Sequence, residues 1–406
     1  MNIFGKKISE IEYGDIKSLV DGKIEEGTYL DYKRGISSAK EAKAELGRDA
    51  SALANTEGGT LILGVEERKV KRHGKQVVEP VSICGVPQVY KGQETRLWLE
   101  QVIKSTTRRM VNTSVHPVKI ADNQDDSVFI IYVPKSNHAP HMLWSEGSKH
   151  HGRYFKRRNF QNEIAEEYEV RELFERSARL EHKFRDYLAR TGYGLSGKPP
   201  SHEWYDLSLV CCPLILEDRL IDITQKEKLF VKEPTFSWPP PLQGEHLVHN
   251  GQVQPSEFGL SITETGCSLL LQQVALGIHR NGYMDFVARV GKHEDGRRYV
   301  DKWVIEFLLA FMDYCTKSLV NFHYYGNVAL FLTINTRHVL FYGERQSRPV
   351  VPFHSEEAHV QITDEVYIGD LEANLSRALR PLADRFYQCF GFWKAACFDE
   401  NNRYIG

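Results

Sequence analysis

Near the start of the chain, EEGTYLDYKRG alternates polar and apolar positions, and this period of two predicts a strand. From Ser38 to Asn55 the period changes. Ala42, Leu46, Ala50 and Leu53 recur every three or four residues and predict a helix, which the run Asn55-Thr56-Glu57-Gly58-Gly59 stops. TLILGV follows, a short apolar run of central-strand length. Leu97, Val102 and Ile103 mark a second helix that ends near Arg108 and Arg109, and VKIADNQDDSVFIIYV reads as a hairpin. This order of elements predicts a compact mixed α/β domain over residues 1–162.

After Asn162 the text becomes strongly charged. Val170, Leu173, Leu180, Phe184 and Tyr187 share one helical face, with Glu172/Arg176, Glu175/Arg179 and Glu181/Arg185 four apart on the others. That predicts a connecting helix, followed by a Gly/Pro linker (TGYGLSGKPP), both within 163–200. Residues 201–406 read as a second α+β domain of unassigned fold. It has strands at LSLVCCPLILE and NVALFLTI, a helix at WVIEFLLAFMDYC and one last amphipathic helix over DLEANLSRALRPLADRFYQC. Trp238-Pro239-Pro240-Pro241 reads as a stiff loop brace.

Composition then narrows the class. The chain has 406 residues, 41% of them hydrophobic and 26% charged, an ordinary globular balance. The N-terminus is charged from its sixth residue and shows no signal-peptide pattern, and no apolar window is long enough to span a membrane. Seven cysteines, an odd number without a CxxC pair, read as reduced thiols, so a cytoplasmic location is expected. The net charge of −2 hides a split. Residues 1–162 hold 26 Lys and Arg against 20 Asp and Glu, a balance of +6, and the remainder balances at −8. A nucleic-acid partner for the basic half is therefore compatible with the total.

Two clusters carry candidate chemistry. Glu26, Asp31 and Lys33 lie on or beside the first strand, and Glu66 and Glu67 follow TLILGV directly. Alternation puts Asp31 and Lys33 on one face, where a third carboxylate can approach from the neighbouring strand. Gathered carboxylates suit a hard divalent cation, which polarises a phosphodiester and activates water. The same residues also suit a solvated strand face. The second cluster is HHGRYFKRRNF, in which Arg153, Lys156, Arg157 and Arg158 interleave with Tyr154 and Phe155. Arginine forks match phosphate oxygens and aromatic faces stack on unpaired bases. Arg108, Arg109 and Lys135 extend that surface. His138, His141, His150, His151 and Cys84 match no standard zinc spacing. The chain has no GxxxxGK[ST] phosphate loop, so ATP has no anchor, and it has no GxSxG, HExxH or GxGxxG.

Glu26-x4-Asp31-Tyr32-Lys33, SALANTEGG and TLILGVEE together resemble the Schlafen AlbA-like domain, with YVPKSNHAPHM and YFKRRNFQN continuing the likeness across residues 20–175. The resemblance implies a nucleic-acid-binding fold. In some members it implies a metal-dependent endoribonuclease that acts on structured, tRNA-like RNA in stress or antiviral defence. Carried over by position, Glu26, Asp31 and Glu67 would hold Mg²⁺ or Mn²⁺, with Lys33 beside them. Asp31 stands where the family has Glu and Glu67 where it has Asp, two reciprocal changes of one methylene. The other reading is a binding module for RNA or DNA without catalysis, whose C-terminal domain senses a ligand or partner. Self-association is left open.

Overall fold

The computed structural model describes residues 3–4, 6, 8–72, 74–120, 123–136, 138–191, 204–215, 219–229, 252–255, 259–265, 271–291, 298–300, 302–335, 340–342 and 359–405. Two compact units divide the chain, Met1–Glu181 and His182–Gly406.

The first unit opens with α1 (Tyr13–Asp21), β1 (Leu30–Lys33), α2 (Lys40–Asn55) and β2 (Gly58–Leu63). A hairpin of β3 (Val65–Arg72) and β4 (Lys75–Ile83) follows, then the short β5 (Val86–Pro87), β6 (Val89–Tyr90) and β7 (Gln93–Glu94). Next come α3 (Thr95–Ser105), β8 (Thr107–Arg108), β9 (Ser114–Ile120), β10 (Asn123–Pro134), β11 (Met142–Leu143), β12 (Arg153–Arg158), β13 (Gln161–Ile164) and α4 (Glu167–Thr191). β1 lies parallel to β2, with Asp31 opposite Leu61, and β2 pairs antiparallel with β10. The chain order β1-β2-β10-β5, with β9 on β10, makes one sheet, and β13-β12-β11-β8 makes another.

Between these sheets runs α2, and its sequence explains the position. Leu46, Ala50, Leu53 and Ala54 join Leu61, Leu63, Phe129 and Ile131 in the main core. Ala52, on another side of the helix, packs with Leu143 and Phe155. A helix flanked on two sides has to be narrow, hence the alanines and Gly47. A Cβ on Gly47 would stand 2.2 Å from Thr106 Oγ1. The turn after α2 is equally crowded. Gly58 has φ of +73°, and a Cβ on Gly59 would come within 2.8 Å of the Tyr29 carbonyl.

The predicted helix over 38–55 and the hairpin over 118–133 are present. In α3 the inward residues are Trp98, Leu99, Val102 and Ile103, while Leu97 is exposed and Thr106 ends the helix. α4 is clamped to this unit: Arg176 Nη2 donates to the Ser136 carbonyl at 2.6 Å and to the Asn55 carbonyl at 3.4 Å.

In the second unit the described elements are β14 (Trp204–Pro213), α5 (Lys226–Leu229), β15 (Gln252–Pro255), β16 (Gly259–Thr265), β17 (Leu271–His279) and β18 (Met284–Gly291). They continue with β19 (Arg298–Val300), α6 (Trp303–Asn321), β20 (Asn327–Asn335), β21 (Leu340–Tyr342), β22 (His359–Tyr367), α7 (Ile368–Ala373) and α8 (Leu375–Gln388). Seven strands form a sheet in the order β15-β16-β17-β18-β14-β20-β22, each pair antiparallel. Phe307 and Phe311 of α6 pack on Phe286 of β18. The single last helix read from sequence is two helices. Asn374 takes an extended backbone (φ −160°, ψ 92°) and its side chain accepts the Arg377 N–H, ending α7 and capping α8. The linker after residue 191, Trp238–Pro241 and Cys267 lie outside the described residues. No described helix is long and apolar enough to cross a membrane.

Candidate functional site

A cleft of about 480 Å³ opens in the first unit between the end of β1, the middle of α2, the start of β3 and the β12–β13 turn. Glu26, Asp31, Lys33, Glu67 and Arg157 all line it, together with Glu45, Arg48, Asp49, Arg68 and Asn162. Its polar side chains are organised around a closed ring. Lys33 Nζ is paired with Asp31 Oδ2. Asp31 Oδ1 lies 2.8 Å from an Arg157 Nη. Arg157 donates to Asn162 Oδ1 at 3.3 Å, and Asn162 Nδ2 donates to Asp49 Oδ1 at 2.6 Å. Asp49 Oδ2 closes the circuit 3.4 Å from Lys33 Nζ.

Each member is placed by local structure. Asp31 and Lys33 share a face of β1 through strand alternation. Asp49 falls on the buried side of α2 and is 1% exposed, so its charge needs partners. In β12, Phe155 and Arg157 point inward, while Lys156 and Arg158 occupy the alternate face. Arg157 is 3% exposed, and its guanidinium also donates to the Gly27 and Leu30 carbonyls at 3.2 Å. It therefore braces β1 and lies within the cleft wall. Lys156 and Arg158 both reach Glu169 of α4, at 3.2 and 2.7 Å.

Outside the ring, Glu26 and Glu67 flank the opening. Glu26 Oε1 accepts the Tyr32 N–H at 2.9 Å. Burial, then the neighbouring Asp31 charge, pushes the Glu26 carboxyl up to about 7. Glu67 sits beside a bulge between β3 and β4 that separates it from Glu66. Glu66 turns to Arg34 at 3.1 Å and Ser82 at 3.2 Å. Burial raises the Glu67 carboxyl, with Lys33 opposing, and its Oε2 is buried with no hydrogen-bond partner among the described residues. Burial also raises Asp49, with Lys33 opposing it, while burial lowers Lys33 against the stronger pull of Asp49 and Asp31, which raise it on balance.

The donor set is all hard oxygen, which suits Mg²⁺ or Mn²⁺. Asp31 is engaged by two cations, whereas the unpartnered Glu67 oxygen and the raised Glu26 are carboxylates that an added positive charge would relieve. No group of three His, Cys, Asp or Glu side chains among the described residues is already arranged as a metal site.

Of the basic residues, Arg153, Arg108 and Arg109 are exposed. Arg109 donates to the His138 carbonyl at 3.1 Å and lies 5.4 Å from the Phe174 ring centroid. Asn55 touches no cleft group; it donates to the His141 and Phe155 carbonyls at 2.9 Å and accepts the His141 N–H at 2.7 Å. The histidines do not converge as a zinc site: His141 is 2% exposed with Nδ1 on the Arg109 carbonyl, whereas His150 packs on Phe155. Sequence reasoning missed Asp49, Arg48 and Asn162. For Asp49 a signal existed, since it sits three residues after Leu46 and four before Leu53, inside the apolar stripe.

No curated protein matches the chain. Among solved structures, it is similar to the N-terminal domain of a RecG-related protein from Nitrosomonas europaea, at 16% identity and TM-score 0.24. That likeness covers 39% of this chain and 97% of the other. Residues 26–166 match the family model described as Schlafen, AlbA_2. The cleft and its ring fall inside that span, so the first unit carries a Schlafen AlbA_2 domain, while the rest of the chain has no family match.

Proposed function

We propose that the first unit binds nucleic acid and, with Mg²⁺ or Mn²⁺ held at Glu26, Asp31 and Glu67, cuts the backbone of structured, tRNA-like RNA. The observation that carries this reading is that those three carboxylates and Lys33 line one solvent-open cleft. A bound divalent ion supplies charge neutralisation at the phosphodiester and a more acidic water. Lys33, held between two aspartates, presents a fixed positive charge to a phosphate oxygen. Glu26, whose carboxyl burial and the Asp31 charge hold up at about 7 without the ion, would be drawn into its charged form by the ion it helps to hold. The family likeness alone supports a role in stress or antiviral defence, and the cysteines read as reduced thiols support a cytoplasmic location.

A second reading has a specific observation behind it. Both oxygens of Asp31 are already held by Lys33 and Arg157, the arrangement of a structural ion pair. On that reading the unit grips RNA or DNA without cutting it, and the second unit senses a ligand or partner.

Purified full-length chain incubated with tRNA and Mn²⁺ separates the two. Cleavage that EDTA abolishes and Glu67→Gln lowers by about a hundredfold supports the nuclease. Intact tRNA under every metal condition, with salt-dependent binding retained, leaves the binding module.

A further inference from the structure

At the β8–β11 edge of the four-stranded sheet, away from the cleft, three side chains are layered. The Arg108 guanidinium lies 4.9 Å from the Trp144 ring centroid. The Trp144 and His151 rings are 4.4 Å apart, tilted by 50°. The layer's backbone is well anchored: the main-chain N–H of Trp144 donates to the Thr106 carbonyl at 2.8 Å, and Arg108 sits opposite Met142 in the β8–β11 pairing.

The charges here differ from those farther along β12. Lys156, Arg157 and Arg158 are matched by Glu169, Asp31 and Glu163. Arg108, Lys149 and Arg153 have no carboxylate partner within ion-pair distance among the described residues. An exposed arginine spread over an indole, without an anion, presents a flat cationic surface on its outer side. Arginine planes and aromatic rings are what unpaired bases stack on, and the neighbouring cations suit the phosphates between them.

β12 runs from this layer to the cleft: Arg153, at its start, stands opposite Leu143 beside Trp144, and Arg157, near its end, lines the cleft. The six residues of the strand span about 17 Å.

We propose that the Arg108–Trp144–His151 layer, flanked by Lys149 and Arg153, is a subsite for an unpaired nucleotide whose base lies on the outer face of the Arg108 guanidinium. It rests on the nucleic-acid reading above and adds a substrate class to it: strands or loops with unstacked bases are held, in preference to continuous duplex.

The test is fluorescence anisotropy of the full chain with labelled oligouridylate, oligothymidylate and an RNA duplex, all in EDTA so that cleavage does not enter. Arg108→Ala and Trp144→Ala are expected to weaken both single strands about tenfold and leave the duplex unchanged. Arg108→Lys, which keeps the charge and loses the plane, should weaken them nearly as much, and Trp144→Phe should retain most of the affinity. If Trp144→Ala does not fold, the exposed Arg108 variants and Trp144→Phe carry the test. Equal losses on single strand and duplex, or wild-type affinity in Arg108→Lys, overturn the proposal, as does an effect confined to RNA. A wild-type chain that binds none of the three overturns both readings. One that binds unpaired strands here and leaves tRNA intact in the Mn²⁺ assay above overturns only the nuclease.

Discussion

The guanidinium of Arg157 lies 2.8 Å from Oδ1 of Asp31, with both side chains all but sealed from solvent. Removing one member strands the other, which typically costs about 3–5 kcal/mol. Asp31→Ala is therefore expected to lower stability sharply, and Asp31→Asn somewhat less, in urea melts followed by circular dichroism. An unchanged midpoint for Asp31→Ala would contradict the pairing. The same reasoning makes Glu67, which is partly exposed and outside that ion pair, the better position for an activity test.

Glu26 makes stability depend on pH in an unusual direction. Its carboxyl is raised from 4.5 to about 7, so across that window the folded chain keeps a proton that the unfolded chain has released. Stability contributed by this group is present below pH 4.5 and falls as pH rises towards 7. Glu26→Gln should flatten that part of the profile, as read from melting temperature between pH 5 and 8. Mn²⁺ bound at the cleft should raise the wild-type melting temperature most above pH 7 and that of Glu67→Gln least.

Asn55 has a purely structural task on this geometry. Asn55→Ala leaves two carbonyls and one N–H buried without partners, at about 1–3 kcal/mol each, so a loss of about 3 kcal/mol or more is expected. Asn55→Asp keeps the acceptor and turns an oxygen towards both carbonyls, so it should be no better. Denaturant midpoints at constant slope decide this.

Gly47→Ala sets two effects against each other. Helix propensity favours alanine by about 1 kcal/mol. The new Cβ, however, meets Thr106 Oγ1 at 2.2 Å and Cβ at 2.8 Å. Thr106 is β-branched and bonded to the Val102 carbonyl, so it yields poorly. Overpacking of about 1–3 kcal/mol is expected to win. Thr106→Ala added to Gly47→Ala, by removing Oγ1, should recover part of the loss.

What was legible in the sequence follows from local period. Alternation alone put Asp31 and Lys33 on one face of β1, and the glycines after Thr56 announced the crowded turn. Asp49 and Asn162 were not legible as one site, because 113 positions separate the members of their hydrogen bond and no local pattern joins them. The run from Lys156 to Arg158 reads as one basic surface. Its division into an inward Arg157 and outward neighbours depends on which face of β12 meets α2, a property of packing.

The grip of α4 on this unit also decides where the chain can be divided. Glu169 matches two of the cations on β12, and Arg176 fastens the turn after α2 to the end of β10. A fragment ending at residue 162 would discard both attachments along with half of β13. One carried through Glu181, where the first compact unit ends, keeps them, and in it the cleft can be expected to hold its shape when expressed by itself.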